Sequence, residues 1–321
     1  MSTTTAPPAA GTPAVRIRGL NKTFTSGSFV SRTRLRALRD IELEIGAGEI
    51  VALVGESGSG KSTLARCIAR LEQPETGSLE VFGENVLATQ RRGASRGYRR
   101  CVQMVFQDPF GSLNPTHRVE HVLERSLCVH GKAGSNVRAR LVELVESVDL
   151  DPAVLSAFPH ELSGGQRQRI AIARVLAVEP EVILADEPTS MLDVSVRIGV
   201  LNLLAKLRDE HGIAILYVTH DLASARYLAD RTIVMNAGSM VEGGPSMRLL
   251  DDPQHPYTRL LVGAVPDPER TEPFDPDARA ELRREIADWT AAPGQRREVV
   301  DAATAHWVLT PHEHTSRQEN A

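Results

Sequence analysis

The sequence predicts an α/β protein built around a mostly parallel sheet, and three observations carry that prediction. Short apolar runs such as "IVALV", "VILA" and "IAILYV" alternate with longer segments of helical periodicity, the pattern of buried parallel strands joined by helices. A glycine-rich loop, "GESGSGKS", separates the first of these runs from the helical segment "TLARCIARL". The stretch from Val119 to Phe158 is helical in pattern with almost no strand-like run, which marks a helical insertion.

Taken in order, residues 1–13 are Thr, Pro and Ala without a basic region ahead of an apolar stretch, so they read as a disordered tail and not as a secretion signal. "AVRIRGLNKTF" alternates as a strand does. "LRALRDIELEIGAGEIVALVG" then gives a strand pair broken at Gly46 and Gly48, followed by the buried strand Ile50 to Val54. The helix beyond the glycine loop is expected to run up to Pro74. A basic loop, "QRRGASRGYRR", precedes the strand "CVQMVFQ", and "DPFGSLNP" breaks regular structure through Pro109, Gly111 and Pro115, so a boundary is expected there. After the helical stretch the sheet resumes with "EVILADEP", a helix ending at Gly212, and the strands "IAILYVTH" and "RTIVMNAG". Beyond Leu250, proline density and a polar end with scattered Trp289 and Trp307 predict a separate C-terminal appendage.

Bulk properties exclude several classes. A formal net charge of −4 with 24% charged residues gives no electrostatic case for nucleic-acid binding, so any anion must be held locally. No apolar run approaches the roughly 20 residues needed to span a bilayer. Cys67, Cys101 and Cys128 are odd in number and widely spaced, against a disulfide framework or a zinc or iron–sulfur site, and read as reduced packing residues. His312 and His314 in the polar end do not make a metal site without further ligands. The basic run from Arg91 to Arg100 reads as a solvated loop, with contact to lipid headgroups or a membrane partner as the other reading.

Gly55 to Ser62 has the spacing of a phosphate loop and stands between a strand and a helix, as that chemistry requires. Gly55, Ser57, Gly58 and Gly60 let the backbone turn its N–H groups around phosphate oxygens, and the helix starting near Lys61 offers its positive end to the same anion. Lys61 is placed to reach the β and γ phosphates. Ser62, followed by Thr63, supplies a hydroxyl suited to Mg²⁺. "VILADEP" sets Asp186 and Glu187 at the end of a buried strand. Asp186 is suited to hold Mg²⁺ through water and Glu187 to act as the base on an attacking water; an acidic pair there is otherwise a turn or helix cap.

"LSGGQRQRIAIARVL", from Leu162 to Leu176, resembles the signature of ABC (ATP-binding cassette) ATPases. Ser163, Gly164, Gly165 and Gln166 open a helix and form a second anion site. The resemblance implies a P-loop NTPase (RecA-like) core with an antiparallel β subdomain, a helical signature subdomain and a C-terminal extension. It also implies two cassettes packed head to tail, each signature closing over ATP held by the other's phosphate loop. Gln107 in "VFQDP" resembles the glutamine that contacts Mg²⁺ and the attacking water. "SMLD", ending at Asp193, resembles the loop that joins the two sites, where the family usually has Ala at the position of Met191. His220 in "VTHD" resembles the switch histidine on the γ phosphate. Phe24 matches the aromatic that stacks on adenine, with core packing as the other reading. The resemblance covers roughly Val15 to Val265, and active hydrolysis is expected.

"VFQDPFGSLNP" and "DPQHPYTRLLVGAVPDP" further resemble the oligopeptide and dipeptide importer subfamily. That implies an ATPase domain over 14–250 with its helical part about 109–165, and an extension over 251–321. It implies as partners two transmembrane permease subunits, a second ABC ATPase subunit and an external solute-binding protein, with the chain peripheral on the cytoplasmic face of the membrane. No iron–sulfur cluster is expected, because no cysteine follows Cys128. Nickel, glutathione and sugar-oligomer importers share these features, so the solute stays open. The rival function, a soluble ABC ATPase acting on nucleic acid or ribosomes, would show a long coiled-coil insertion or two cassettes on one chain; this sequence has neither.

Overall fold

A computed structural model of the chain describes residues 12–28, 31–90, 93–108, 111, 113–131, 136–264, 276–292 and 294–311. Most of the expected tail, Arg91, Pro109, residues 265–268, His312 and His314 lie outside the described residues.

In chain order the elements are β1 (Val15–Ser28), β2 (Ser31–Ile45), β3 (Ile50–Val54), α1 (Lys61–Ile68), β4 (Thr76–Val81), β5 (Glu84–Asn85), α2 (Val86–Thr89), α3 (Arg96–Cys101) and β6 (Val102–Val105). There follow α4 (Val119–Val129), α5 (Val137–Ser147), α6 (Gly164–Leu176), β7 (Val182–Asp186), α7 (Val194–His211), β8 (Ala214–Thr219) and α8 (Leu222–Leu228). The chain continues with β9 (Arg231–Asn236), β10 (Ser239–Pro245), α9 (Ser246–Asp251), α10 (Pro256–Gly263), α11 (Pro276–Ala291), β11 (Gln295–Asp301) and β12 (His306–Pro311). Its packing divides it into two compact units, Met1–Ile50 with Ser62–Val218 and Val51–Lys61 with Thr219–Ala321.

In the first unit an antiparallel sheet runs β2-β1-β4-β5, with Ile17 opposite both Leu43 and Leu79. Those three side chains are buried, together with Leu20, Leu38 and Ile41, which is where the alternation of this segment leads. The strands β6, β7 and β8 pair in parallel, Val105 with Ala185 and Asp186 with Val218. Every residue of β7 and β8 is buried, the state an unbroken apolar run requires. Between β6 and β7 the chain is helical, and Leu123, Leu127, Leu141, Val145, Ile170 and Ile172 bury its apolar faces.

The helix after the glycine loop stops at Ile68, short of the expected Pro74. Arg70 takes a left-handed conformation (φ 58°), and the N–H groups of Leu71 and Glu72 both return to the Arg66 carbonyl, a C-terminal stop built without glycine. The Arg70 guanidinium holds that stop by donating to the carbonyls of Val86 and Gln90 at 2.7 and 2.8 Å.

In the second unit β3 lies parallel to β9, Leu53 opposite Ile233, and β9 turns back into β10. Glu242 on β10 pairs with Val308 on β12, so the C-terminal strand joins the same sheet as the strand preceding residue 251, and β11 pairs onto β12 beyond it. Cys67 is buried, as a packing thiol should be, whereas Cys128 is exposed. Among the described residues no helix is long and apolar enough to cross a membrane.

Candidate functional site

The glycine loop takes a shape few sequences allow. Gly55, Gly58 and Gly60 have φ of 149°, 83° and 107°. At Gly55 a Cβ would come within 2.2 Å of the Met235 carbonyl oxygen, so no larger residue fits between the loop and β9. The loop is pinned through its backbone: Ser59 N–H donates to the Glu56 carbonyl at 3.2 Å and Gly238 N–H to the Ser59 carbonyl at 3.0 Å. Lys61, only 5% exposed, donates from Nζ to the carbonyls of Gly55 (2.7 Å) and Glu56 (2.8 Å) and to Ser59 Oγ (3.4 Å). A cation thus sits inside the loop's curve, at the head of a helix whose first amides have no partner within the helix, an arrangement suited to phosphate.

In the first unit Ser62, the next residue, donates from Oγ to Asp186 Oδ1 at 2.9 Å, although 124 positions separate them. Asp186 is buried at the end of β7. One residue on, Glu187 has φ 46°, a left-handed conformation rare for a residue with a side chain. Its N–H is tied to the Val218 carbonyl at 2.9 Å, and Ser190 donates to its carbonyl. These bonds hold the peptide, and the two carboxylates take different partners. Gln107 Nε2 donates to Glu187 Oε2 at 3.0 Å, so the exposed loop after β6 reaches the second carboxylate. The structure thus brings Ser62 to Asp186 and Gln107 to Glu187.

Ser163 is the N-cap of α6: its Oγ accepts Gln166 N–H at 3.2 Å and its own N–H donates to Gln166 Oε1 at 2.9 Å, a reciprocal capping box. Gly165 has a packing reason beyond anion binding, since a Cβ there would meet Val196 of α7 at 2.3 Å, and Gly164 lies against Leu192. The "SMLD" loop and the signature thus form one packed corner, with Asp193 as the N-cap of α7. Met191 and Val194 beside it are exposed.

His220 follows β8 at an exposed position, and the next residue, Asp221, caps α8 through Ala223 N–H. Phe24 is half-buried on β1 with the Lys22 ammonium 4.9 Å from its ring centroid, a cation–π contact. Thr63 lies on α1, and Ser57 is exposed in the loop.

Sequence reasoning missed Tyr257. Its hydroxyl accepts the N–H of Glu56, inside the phosphate loop, at 2.9 Å across 201 positions. "HPY" does announce a helix start, with a polar cap before a proline at the first turn, but nothing in one sequence discloses so distant a partner. The cap is His255, whose Nδ1 accepts Tyr257 N–H at 3.0 Å and must be unprotonated to do so. Burial first, and Arg259 second, push the His255 imidazole down to about 4 from an ordinary value near 6.5. Stability tied to this group is complete above pH 6.5 and is lost as pH falls toward 4, because the unfolded chain takes up the proton first. The expected slope is up to about 1.4 kcal/mol per pH unit. Urea unfolding between pH 7 and pH 4 should show it, and His255→Asn, which keeps a cap acceptor, should flatten that part of the curve; equal slopes would contradict it.

Residues 38–190 match the family model described as ABC transporter, and residues 241–288 match the oligopeptide/dipeptide transporter C-terminal region. The chain is 44% identical over 273 residues to a protein of Brucella ovis named as a peptide import ATP-binding protein, covering 84% of this chain and 82% of that one. It is 43% identical over 259 residues to the oligopeptide transport ATP-binding protein OppD of Mycobacterium tuberculosis, covering 79% of this chain and 42% of that one. Among solved structures it resembles the ATP-binding cassette MJ0796 in a dimeric post-hydrolysis state with ADP and Pi. That match has 32% identity and a TM-score of 0.64 and covers 72% of this chain and 98% of that one. It also resembles cbiO1 of Clostridium perfringens, part of an ABC transporter complex, at 26% identity and a TM-score of 0.64, covering 78% of this chain and 95% of that one.

Proposed function

The chain belongs to the ABC transporter family of ATP-binding subunits, and from that premise we propose that it hydrolyses ATP to power import of peptides or related small solutes. The observation that carries the catalytic reading is the juxtaposition of Gln107 with Glu187, one residue after an Asp186 bonded to Ser62.

In this reading the phosphate loop, Gly55 to Thr63, holds the ATP phosphates, with Lys61 on the β and γ groups and Phe24 on the adenine. Ser62, Asp186 and Gln107 offer hard oxygen donors and would hold Mg²⁺, which when bound neutralises charge on the β and γ phosphates. Glu187 accepts the proton of, or orients, the attacking water, and Gln107 fixes the carboxylate that does so. His220 hydrogen-bonds the γ phosphate. Ser163 to Gln166 of one cassette close over ATP in a second, homologous or identical, cassette, and Asp193 links the two sites.

Closure and reopening of that pair would move two attached permease subunits, fed by an external solute-binding protein, with the chain peripheral on the cytoplasmic face. A groove of about 750 Å³ beside the Gln107 loop, lined by Phe106, Leu71, Val129, Arg99 and His121, suits a helix of a permease subunit. Residues 14–250 would form the ATPase domain, with its helical part about 109–165, and residues 251–321 the extension. Nucleic acid has no place in this scheme. In cells lacking the chain, wild type but not Glu187→Gln should restore uptake of labelled di- or oligopeptides. Restored uptake of glutathione, nickel or sugar oligomers instead would reassign the solute, and restoration of none would overturn import.

A further inference from the structure

The second unit contains a buried chain of hydrogen bonds that runs from the C-terminal hairpin to the phosphate loop. It begins at Glu242 on β10, which is fully buried. Its Oε1 accepts His306 Nε2–H at 2.9 Å and Gln254 N–H at 2.8 Å, and its Oε2 accepts His255 N–H at 3.0 Å. A carboxylate with no exposure is tolerable only when its oxygens are satisfied in this way, so the three donors and Glu242 stand or fall together. His255 in turn caps α10 through Tyr257 N–H, and its ring packs T-shaped against Trp289 on α11 at 4.9 Å between centroids. Tyr257 is 3% exposed, and its hydroxyl accepts Glu56 N–H.

Glu56 is where this chain meets the chemistry. Its N–H points to Tyr257, while its carbonyl accepts both the Lys61 ammonium at 2.8 Å and Ser59 N–H at 3.2 Å. The Gly55–Glu56 peptide is therefore held from outside by the extension, through the Glu56 N–H, and from inside by the cation of the loop, whose ammonium donates to the Gly55 carbonyl at 2.7 Å. Without the outer bond, the peptide whose Gly55 carbonyl sets the Lys61 ammonium loses its anchor on the other side.

We propose that Tyr257 is a positioning residue for the phosphate loop, and that the Glu242–His306 contact is the brace by which the C-terminal hairpin keeps it in place. The extension thereby sets how well the loop is organised before ATP arrives. The proposal rests on the ATPase reading of this loop, deepening it with a residue from outside the nucleotide-binding motifs.

The test is ATP affinity of the full chain, measured by calorimetry on wild type, Tyr257→Phe, His306→Ala and the double variant. Tyr257→Phe keeps the ring and removes one acceptor, so ATP should bind about fivefold more weakly, the factor that one neutral hydrogen bond represents. Melting of the nucleotide-free protein should barely move, because the released N–H turns to water. His306→Ala should weaken ATP by a similar factor, His306→Gln, which keeps a donor, should recover it, and the double variant should be no weaker than either single. Tyr257→Phe binding within twofold of wild type would overturn the proposal, and so would a double variant whose loss is the product of the two. If Tyr257→Phe does not fold, the His306 pair decides alone: loss with Ala and recovery with Gln supports the brace, and wild-type affinity in both overturns it. Wild type that binds no ATP would instead be a failure of the ATPase reading.

Discussion

Replacing Glu187 with glutamine is expected to reduce phosphate release from MgATP by 10²- to 10⁴-fold, on the order of what a positioned general base contributes. Glutamine has the shape of glutamate and can still accept from Gln107 Nε2, which donates to Glu187 at 3.0 Å. It has no carboxylate to take a proton from water. The backbone at this position is left-handed and pinned to Val218 and Ser190, independent of the side chain, so the fold should be indifferent to the change. ATP affinity should accordingly stay near wild type, so that nucleotide is held but not consumed. Turnover within a fewfold of wild type would remove Glu187 from the role of base.

The second large effect is expected on binding. Lys61→Ala removes a nearly buried ammonium held by two loop carbonyls and a hydroxyl, leaving the curve of the loop without a cation to meet phosphate. Removing one member of a buried, hydrogen-bonded charge pair costs about 2 to 5 kcal/mol, so the ATP dissociation constant should rise by at least roughly 30-fold. Equilibrium dialysis with labelled ATP measures it. Affinity unchanged from wild type would mean that the nucleotide lies elsewhere.

Much of this site is legible from sequence because its parts are local. A strand, a glycine loop and a helix are contiguous at Ile50 to Ile68, and the spacing from Ser163 to Gln166 is itself the pattern of a capping box. The buried strands β7 and β8 announce themselves as unbroken apolar runs. What escaped depends on distant or exposed structure. The stop at Ile68 rests on Arg70 in a conformation glycine usually supplies, held by carbonyls of Val86 and Gln90. Strand β11 has no fully buried residue, and its Val299 and Val300 are exposed, so it leaves no alternating pattern to read. Tyr257 is invisible for a related reason: its partner in the phosphate loop is brought near only by the fold.

The central claim, that this ATPase works as part of a membrane importer, is tested most directly by pulling down tagged Glu187→Gln protein in detergent with ATP and Mg²⁺ and identifying what accompanies it by mass spectrometry. Two multi-span membrane proteins and a cassette partner, with the solute-binding protein as a further companion, are the predicted result. Ribosomes or nucleic acid without any membrane protein would contradict the importer while leaving the ATPase intact.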